Sequence, residues 1–295
     1  MKIKHLVFSG SFTLFLSQLG SVKTFIKKNY IDMEEIESIY GTSAGAITGF
    51  LLCIKYNLKE ICDYFVNDCL YEDIFSISIQ NILNLFKKKG LFDKKSLNLL
   101  FKPILKKANI PININFKELY EVSKITLNIF TFEKTTKKII KFNHITHPNL
   151  SVMKALYMSC SVPYIFSPII EDNKLYTDLF LINNYPIVDA IQSGCEEKET
   201  FGFNVRIYNE DSIGYKLLNN IQEINKKTAE NTGSNTGSNP VYKIKEINYY
   251  FDYFSNNVIS LVVDSLQKEE IREEFFKYGV KQAKKIIKNN LQNSI

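Results

Sequence analysis

A three-layer α/β fold, with a central and mostly parallel sheet flanked by helices, is the class this sequence predicts. Short β-branched and aromatic runs alternate along the chain with segments of helical periodicity. The first two such runs each end in a Gly- and Ser-containing turn that leads directly into a helical segment. With 295 residues, 45% of them hydrophobic, the chain has enough apolar surface for a large core without disulfide staples.

The elements follow in order. Lys4 to Phe8 reads as a buried strand, Ser9-Gly10-Ser11 as a turn, and the residues to about Asn29 as an amphipathic helix. The same stretch imitates a signal peptide through Lys2, Lys4 and the apolar residues up to Leu16. Ser9, Gly10, Ser11 and Thr13 interrupt that run, however, and no small-residue cleavage site follows. Ile36 to Tyr40 is a second strand, followed by Gly41-Thr42-Ser43-Ala44-Gly45 and a helix carrying Ala46, Ile47, Phe50, Leu51 and Ile54. Residues 57–120 read as mainly helical, with breaks at Pro103 and Pro111. Lys124 to Phe132 and Lys137 to Phe142 flank Glu133-Lys134-Thr135-Thr136 as a hairpin. A helix from about Ser151 to Met158, a strand Lys174 to Thr177 ending at Asp178, and a strand Thr200 to Ile207 come next. Residues 231–240 repeat the unit N-T-G-S without an apolar side chain and read as a flexible loop. Residues 242–291 return to helical periodicity.

Composition narrows the function classes. The net charge of +6 permits an anionic membrane or a nucleic acid as partner and demands neither. Five cysteines (Cys53, Cys62, Cys69, Cys160, Cys195) contain no C-x-x-C pair, so a zinc ribbon, a thioredoxin-type site and a secreted disulfide framework are not indicated. No run of about 18 apolar residues predicts a spanning helix. Phosphate-loop, dinucleotide and metal-ligand patterns are not found, so neither a metal nor a cofactor is expected.

The chemistry centres on Ser43. Gly41-x-Ser43-x-Gly45 lies where a strand turns into a helix, the setting of a nucleophile elbow. Flanking glycines let backbone pass closely while the hydroxyl is exposed, and the new helix aims its positive end at a developing anion. An ordinary serine N-cap is the competing reading. The three histidines are His5, His144 and His147. None follows residue 147, so the Ser-Asp-His chain order of α/β hydrolases is excluded, and a carboxylate becomes the candidate base.

Four segments in order give the chain a resemblance to the patatin-like phospholipase family. His5 to Gly10 is similar to its first strand and glycine-rich loop, and Tyr40 to Gly45 to its elbow. Ala155 to Pro168 resembles its A-x-x-A-S-x-x-x-P-x-x-F-x-P block, and Tyr176 to Pro186 its strand, D-G dipeptide and N-N-x-P segment. The resemblance implies a Ser-Asp dyad of Ser43 and Asp178, an oxyanion hole at Gly10 and Ser11, and elbow glycines Gly41 and Gly45. It also implies cofactor-free hydrolysis of phospholipid or another acyl-ester lipid. Two departures stand out. Ser11, Phe12 and Leu14 replace the second glycine, third glycine and basic residue of the loop, and D-G has become Asp178-Leu179. These leave a second reading open: a non-catalytic relative that binds lipid or a protein partner. Asp178 as a simple strand-end cap also stays open. The resemblance divides the chain into a patatin-like domain, 1–210, and a C-terminal helical extension, 211–295, with a flexible loop at 228–240, packed on the same domain.

Residues 81–110 carry eight lysines and one acid, Asp93, interleaved with Leu and Phe. An interfacial segment or lid against an anionic membrane is one reading, and core-facing helices with solvated lysines the other. Beside a lipase-like elbow, this pattern favours a membrane over nucleic acid. The expected location is cytoplasmic, with peripheral membrane contact.

Overall fold

The computed structural model describes residues 2–76, 87, 89–179, 182–207, 242–251 and 264–292. Strand β1 (His5–Phe8) contributes Leu6, Val7 and Phe8, all fully buried, as expected of a parallel strand covered on both faces. It pairs in parallel with β2 (Ser38–Thr42) and with β9 (Thr200–Ile207), His5 lying opposite Ser38 and Thr200. Outward from β2 come β4 (Thr126–Glu133), β8 (Lys174–Thr177) and β7 (Ile169–Glu171). Outward from β9 comes β10 (Lys245–Phe251). The strands from β10 to β4 are parallel. β8 and β5 (Lys138–Phe142) run antiparallel to β4, and β7 antiparallel to β8.

Side-chain alternation along the strands makes the layers. Leu6 and Phe8 of β1, Ile39 of β2 and Ile129 of β4 enter the large core. There they meet α1 (Phe15–Lys27), α2 (Ala44–Cys53), α5 (Lys94–Lys107), α7 (Val152–Ser159) and α9 (Glu269–Gln292). Val7, Tyr40 and Phe130 point the other way, into a smaller core closed by Ala190 of α8 (Ile187–Gln192). The predicted three-layer architecture is therefore present. The remaining helices, α3 (Leu58–Asp63), α4 (Tyr71–Ile74) and α6 (Phe116–Ser123), join the side of the large core.

The strand-turn-helix reading of the N-terminus holds, since these residues build the centre of the sheet. The α1–α9 pair is packed backbone to backbone: a Cβ on Gly279 would fall 1.9 Å from the Ser17 carbonyl oxygen. Ser17 Oγ and Ser21 Oγ donate across the same seam to the carbonyls of Phe275 and Gly279.

Four expectations change. The break expected at Pro103 is absent, since α5 runs unbroken through it from Lys94 to Lys107. Within the stretch read as helical, 242–291, Lys245–Phe251 is a strand. Ile247 and Tyr249 are buried at a spacing of two, the period of a strand rather than of a helix. Within 57–120, β3 (Gly90–Phe92) forms a parallel ribbon with β6 (Tyr164–Phe166), Gly90 opposite Tyr164. The second strand begins at Ser38 rather than Ile36 and runs into the elbow motif itself.

In the lysine-rich stretch, residues 81–86 and 88 lie outside the described residues, as does the 228–240 loop. The part that is described, α5, buries Leu97, Leu100, Phe101, Ile104 and Leu105 and exposes Lys95, Lys102, Lys106 and Lys107. Among the described residues no helix is long and apolar enough to cross a membrane. Nor does any group of metal-ligating side chains come together among them.

Candidate active site

β2 ends at Thr42 and α2 starts at Ala44, leaving Ser43 alone at the corner with φ 52° and ψ −126°. A non-glycine residue held there stores about 1–3 kcal/mol of backbone strain. The flanking glycines make the corner sterically feasible. A Cβ on Gly41 would lie 2.6 Å from the Ala46 Cα, and one on Gly45 would lie 2.4 Å from the Ser9 carbonyl oxygen. Ser43 is half-buried, and its amide donates to Ser159 Oγ at 2.8 Å. Ser159 Oγ in turn donates to the Phe130 carbonyl at 2.5 Å. One buried hydroxyl thus ties the strained corner to β4.

Asp178 follows the last residue of β8 and is 7% exposed. Its position relative to Ser43 follows from register. Thr42 lies opposite Phe130 in the β2–β4 ladder, and Thr177 opposite Phe132 in the β4–β8 ladder. One residue further along each ladder, Ser43 and Asp178 both come level with Thr131, two strand spacings or about 10 Å apart at the backbone. The Cys160 thiol interacts with both: its side chain meets that of Ser43 and feels the charge of Asp178. Burial, reinforced by that charge, pushes the thiol well above its ordinary range, so it is held protonated.

Buried hydroxyls brace this arrangement. Thr131 Oγ1 lies 3.0 Å from the Met158 carbonyl and 2.9 Å from that of Thr177. The Asp178 amide donates to the Ser161 carbonyl at 3.1 Å, and Ser161 Oγ donates to Tyr157. Ser159, Ser161 and Thr131 were not singled out as site residues in the sequence. The serine of the A-x-x-A-S block was the signal that could have found Ser159.

The turn after β1 lies against the nucleophile, since a Cβ on Gly10 would be 3.3 Å from Ser43 Cβ. Asn184 clamps it. The Gly10 amide donates to the Asn184 carbonyl at 3.0 Å, and Asn184 Nδ2 donates to the Gly10 carbonyl at 2.9 Å. Of the two amides expected at the oxyanion hole, that of Gly10 is therefore engaged. The Ser11 amide makes no hydrogen bond to a described residue. The buried hydroxyls of Ser11 and Thr42 have no hydrogen-bond partner among the described residues. Phe12, at the third-glycine position, has φ 46°, so the backbone keeps a glycine-like conformation under a phenylalanine side chain.

An apolar groove of about 130 Å³ has Ser43 in its wall. Phe12, Phe15, Ile47, Phe75, Phe92, Leu97, Leu100 and Phe166 are among its walls, and Cys160 borders it. The histidines are elsewhere. His5 opens β1, three residues from the end that meets the elbow, and its Nδ1 is paired with Ser38 Oγ. His144 and His147 follow β5, whose Phe142 lies opposite Ile129 at the far end of the β4–β5 ladder, and His144 stacks on Tyr120.

Comparison with known proteins bears on the family and the fold. The model of the family described as Patatin-like phospholipase matches residues 6–191. A probable lipid hydrolase, 463L, of Invertebrate iridescent virus 6 is 29% identical over 191 residues, covering 64% of this chain and 63% of that protein. The uncharacterized protein R571 of Acanthamoeba polyphaga mimivirus is 28% identical over 189 residues, covering 63% of this chain and 61% of that one. The match thus spans less than two thirds of either relative. Among solved structures, VipD from Legionella pneumophila superimposes with a TM-score of 0.58 at 15% identity, covering 98% of this chain and 67% of that one, a likeness of fold. The family match covers more than half of the chain and includes β1, the elbow and Asp178, and on that ground the chain belongs to the patatin-like phospholipase family.

Proposed function

We propose that the protein hydrolyses carboxylic esters of lipids, as a phospholipase A or lysophospholipase, through a dyad of Ser43 and Asp178. The observation that carries this reading is a strained serine corner opening onto a groove walled by aromatic and aliphatic side chains, with one aspartate level with it in the sheet register. An acyl chain fits such walls, and its ester carbonyl then reaches Ser43. Ser43 Oγ attacks the carbonyl carbon as Asp178 accepts the hydroxyl proton. The oxyanion faces the Ser11 amide and the N-terminal turn of α2. Collapse expels the alcohol, which takes the proton from Asp178 and leaves an acyl-serine. Water, giving its proton to Asp178, then releases the fatty acid and restores Ser43. The reaction needs no cofactor.

The location proposed is cytoplasmic, with peripheral contact to an anionic membrane. The β3–β6 ribbon supports this: Phe92 and Phe166 line the groove, while Lys89 and Tyr164 at the Gly90–Tyr164 end are exposed. We also treat the described part of the C-terminal extension, 242–251 and 264–292, as packed on the same domain, supported by the β9–β10 pairing and by α9 on α1; the rest of 211–295 lies outside the described residues.

One observation favours a second reading, in which a non-catalytic relative binds lipid or a protein partner: the Gly10 amide is already engaged by Asn184. Fatty-acid release from phosphatidylcholine and lysophosphatidylcholine micelles separates the two. Release by the wild type and none by Ser43→Ala is expected. Lipid binding without release would replace the first reading with the second.

A further inference from the structure

We infer that Phe12 sets which acyl groups the groove accepts next to the nucleophile, and that the protein keeps it there at a cost in backbone strain. This rests on the lipid-ester reading of the groove. Phe12 occupies a left-handed φ of 46°, a conformation that disfavours any side chain with a Cβ. The ring contributes in return: it is one wall of the groove that contains Ser43, and it packs against the large core. Its place within the groove is at the reacting end. Gly10, two residues earlier, is the point where this turn meets Ser43 Cβ, and Ala44, also in the wall, directly follows Ser43. Leu97 and Leu100, by contrast, reach the groove from α5. A glycine at position 12 would remove both the strain and the wall. The ring therefore restricts the bulk of the acyl group just beyond the ester carbonyl, and straight chains are favoured over those branched at the α-carbon.

The test compares Phe12→Gly with Phe12→Ala, because both delete the ring and only glycine relieves the strain. At an ordinary backbone position the glycine variant is the less stable of the two. Here the order is inverted, with the glycine variant melting about 2–4 °C above the alanine variant. The wall is read separately from turnover in a Ser43→Ala background, by competition of straight-chain and α-methyl-branched decanoic acids against a fluorescent fatty acid. In that background wild-type position 12 prefers the straight chain, and either substitution narrows the preference by about tenfold or more, the scale of a methylene in an apolar pocket. If alanine melts at or above glycine, the strain is absent. If the straight-to-branched ratio is unchanged in both variants, Phe12 is no selectivity wall. Failure of the wild type to release fatty acid would overturn the dyad and leave both of these readouts standing. If the fluorescent fatty acid does not bind even with phenylalanine present, the groove is not an acyl site and the inference falls with it.

Discussion

Asp178→Asn lowers ester turnover by about 10⁴-fold or more, the scale seen when one member of a nucleophile-activating set is disabled. The amide has the shape of the carboxylate but cannot take the serine proton. No other base is placed to substitute. Among the described residues the groove wall has no histidine or carboxylate; His5 is at the opposite end of β1, and His144 and His147 follow the far end of the β4–β5 ladder. The thiol of Cys160, next to Ser43, is held protonated by burial. Stability changes less than turnover, because the amide keeps the shape of the carboxylate in its buried site. Kinetics of a p-nitrophenyl ester, together with a melting curve, check both halves. Turnover above a tenth of wild type would remove Asp178 from the mechanism.

The second large effect is on the fold of the elbow. Gly45→Ala places a Cβ 2.4 Å from the Ser9 carbonyl oxygen and 2.5 Å from that of Phe8. Both are main-chain atoms. The Phe8 segment is fixed in the central strand, and the Ser9 amide is fixed by the Phe203 carbonyl. Neither neighbour is the movable end of a side chain, so relief requires α2 and β1 to separate. The expected cost is above about 4 kcal/mol, at the far end of single-substitution effects, which lowers Tm by about 10 °C. Labelling of Ser43 falls with it, since the same displacement moves the serine away from Gly10. A melting curve and a labelling time course read the result. An unchanged Tm would mean that the strand and helix approach less closely than described.

Much of this arrangement was legible in the chain. Lys174–Thr177 and Thr200–Ile207 begin and end where their β-rich composition and polar flanks indicated. The Glu133–Thr136 turn joined its two strands as a hairpin. These elements carry their determinants locally. β10 does not: Ile247 and Tyr249 become strand residues because β9 offers an open parallel edge, a partner about 40 residues away in sequence. The β3–β6 ribbon is likewise non-local, pairing Gly90 with Tyr164.

The site divides along the same line. Gly41, Ser43 and Gly45 are a local motif, and their geometry follows from it. Asp178 was reached through resemblance; its relation to Ser43 depends on two ladders that share β4. Ser159 and Thr131 brace the site through bonds to main-chain atoms far away in sequence, which spacing along the chain does not reveal. The occupied Gly10 amide depends on Asn184, 174 residues away. The left-handed φ at Phe12 was hidden because a phenylalanine in a turn gives no sign of the backbone angle it has been made to adopt.

Ser43 as an activated nucleophile is the central claim, and reaction with an alkyl fluorophosphonate tests it most directly. The wild type is expected to gain one covalent adduct, mapped by peptide mass spectrometry to Ser43. Ser43→Ala gains none, and Asp178→Asn labels far more slowly. A folded wild type that remains unlabelled while a competent serine hydrolase reacts, or an adduct that persists in Ser43→Ala, would contradict it.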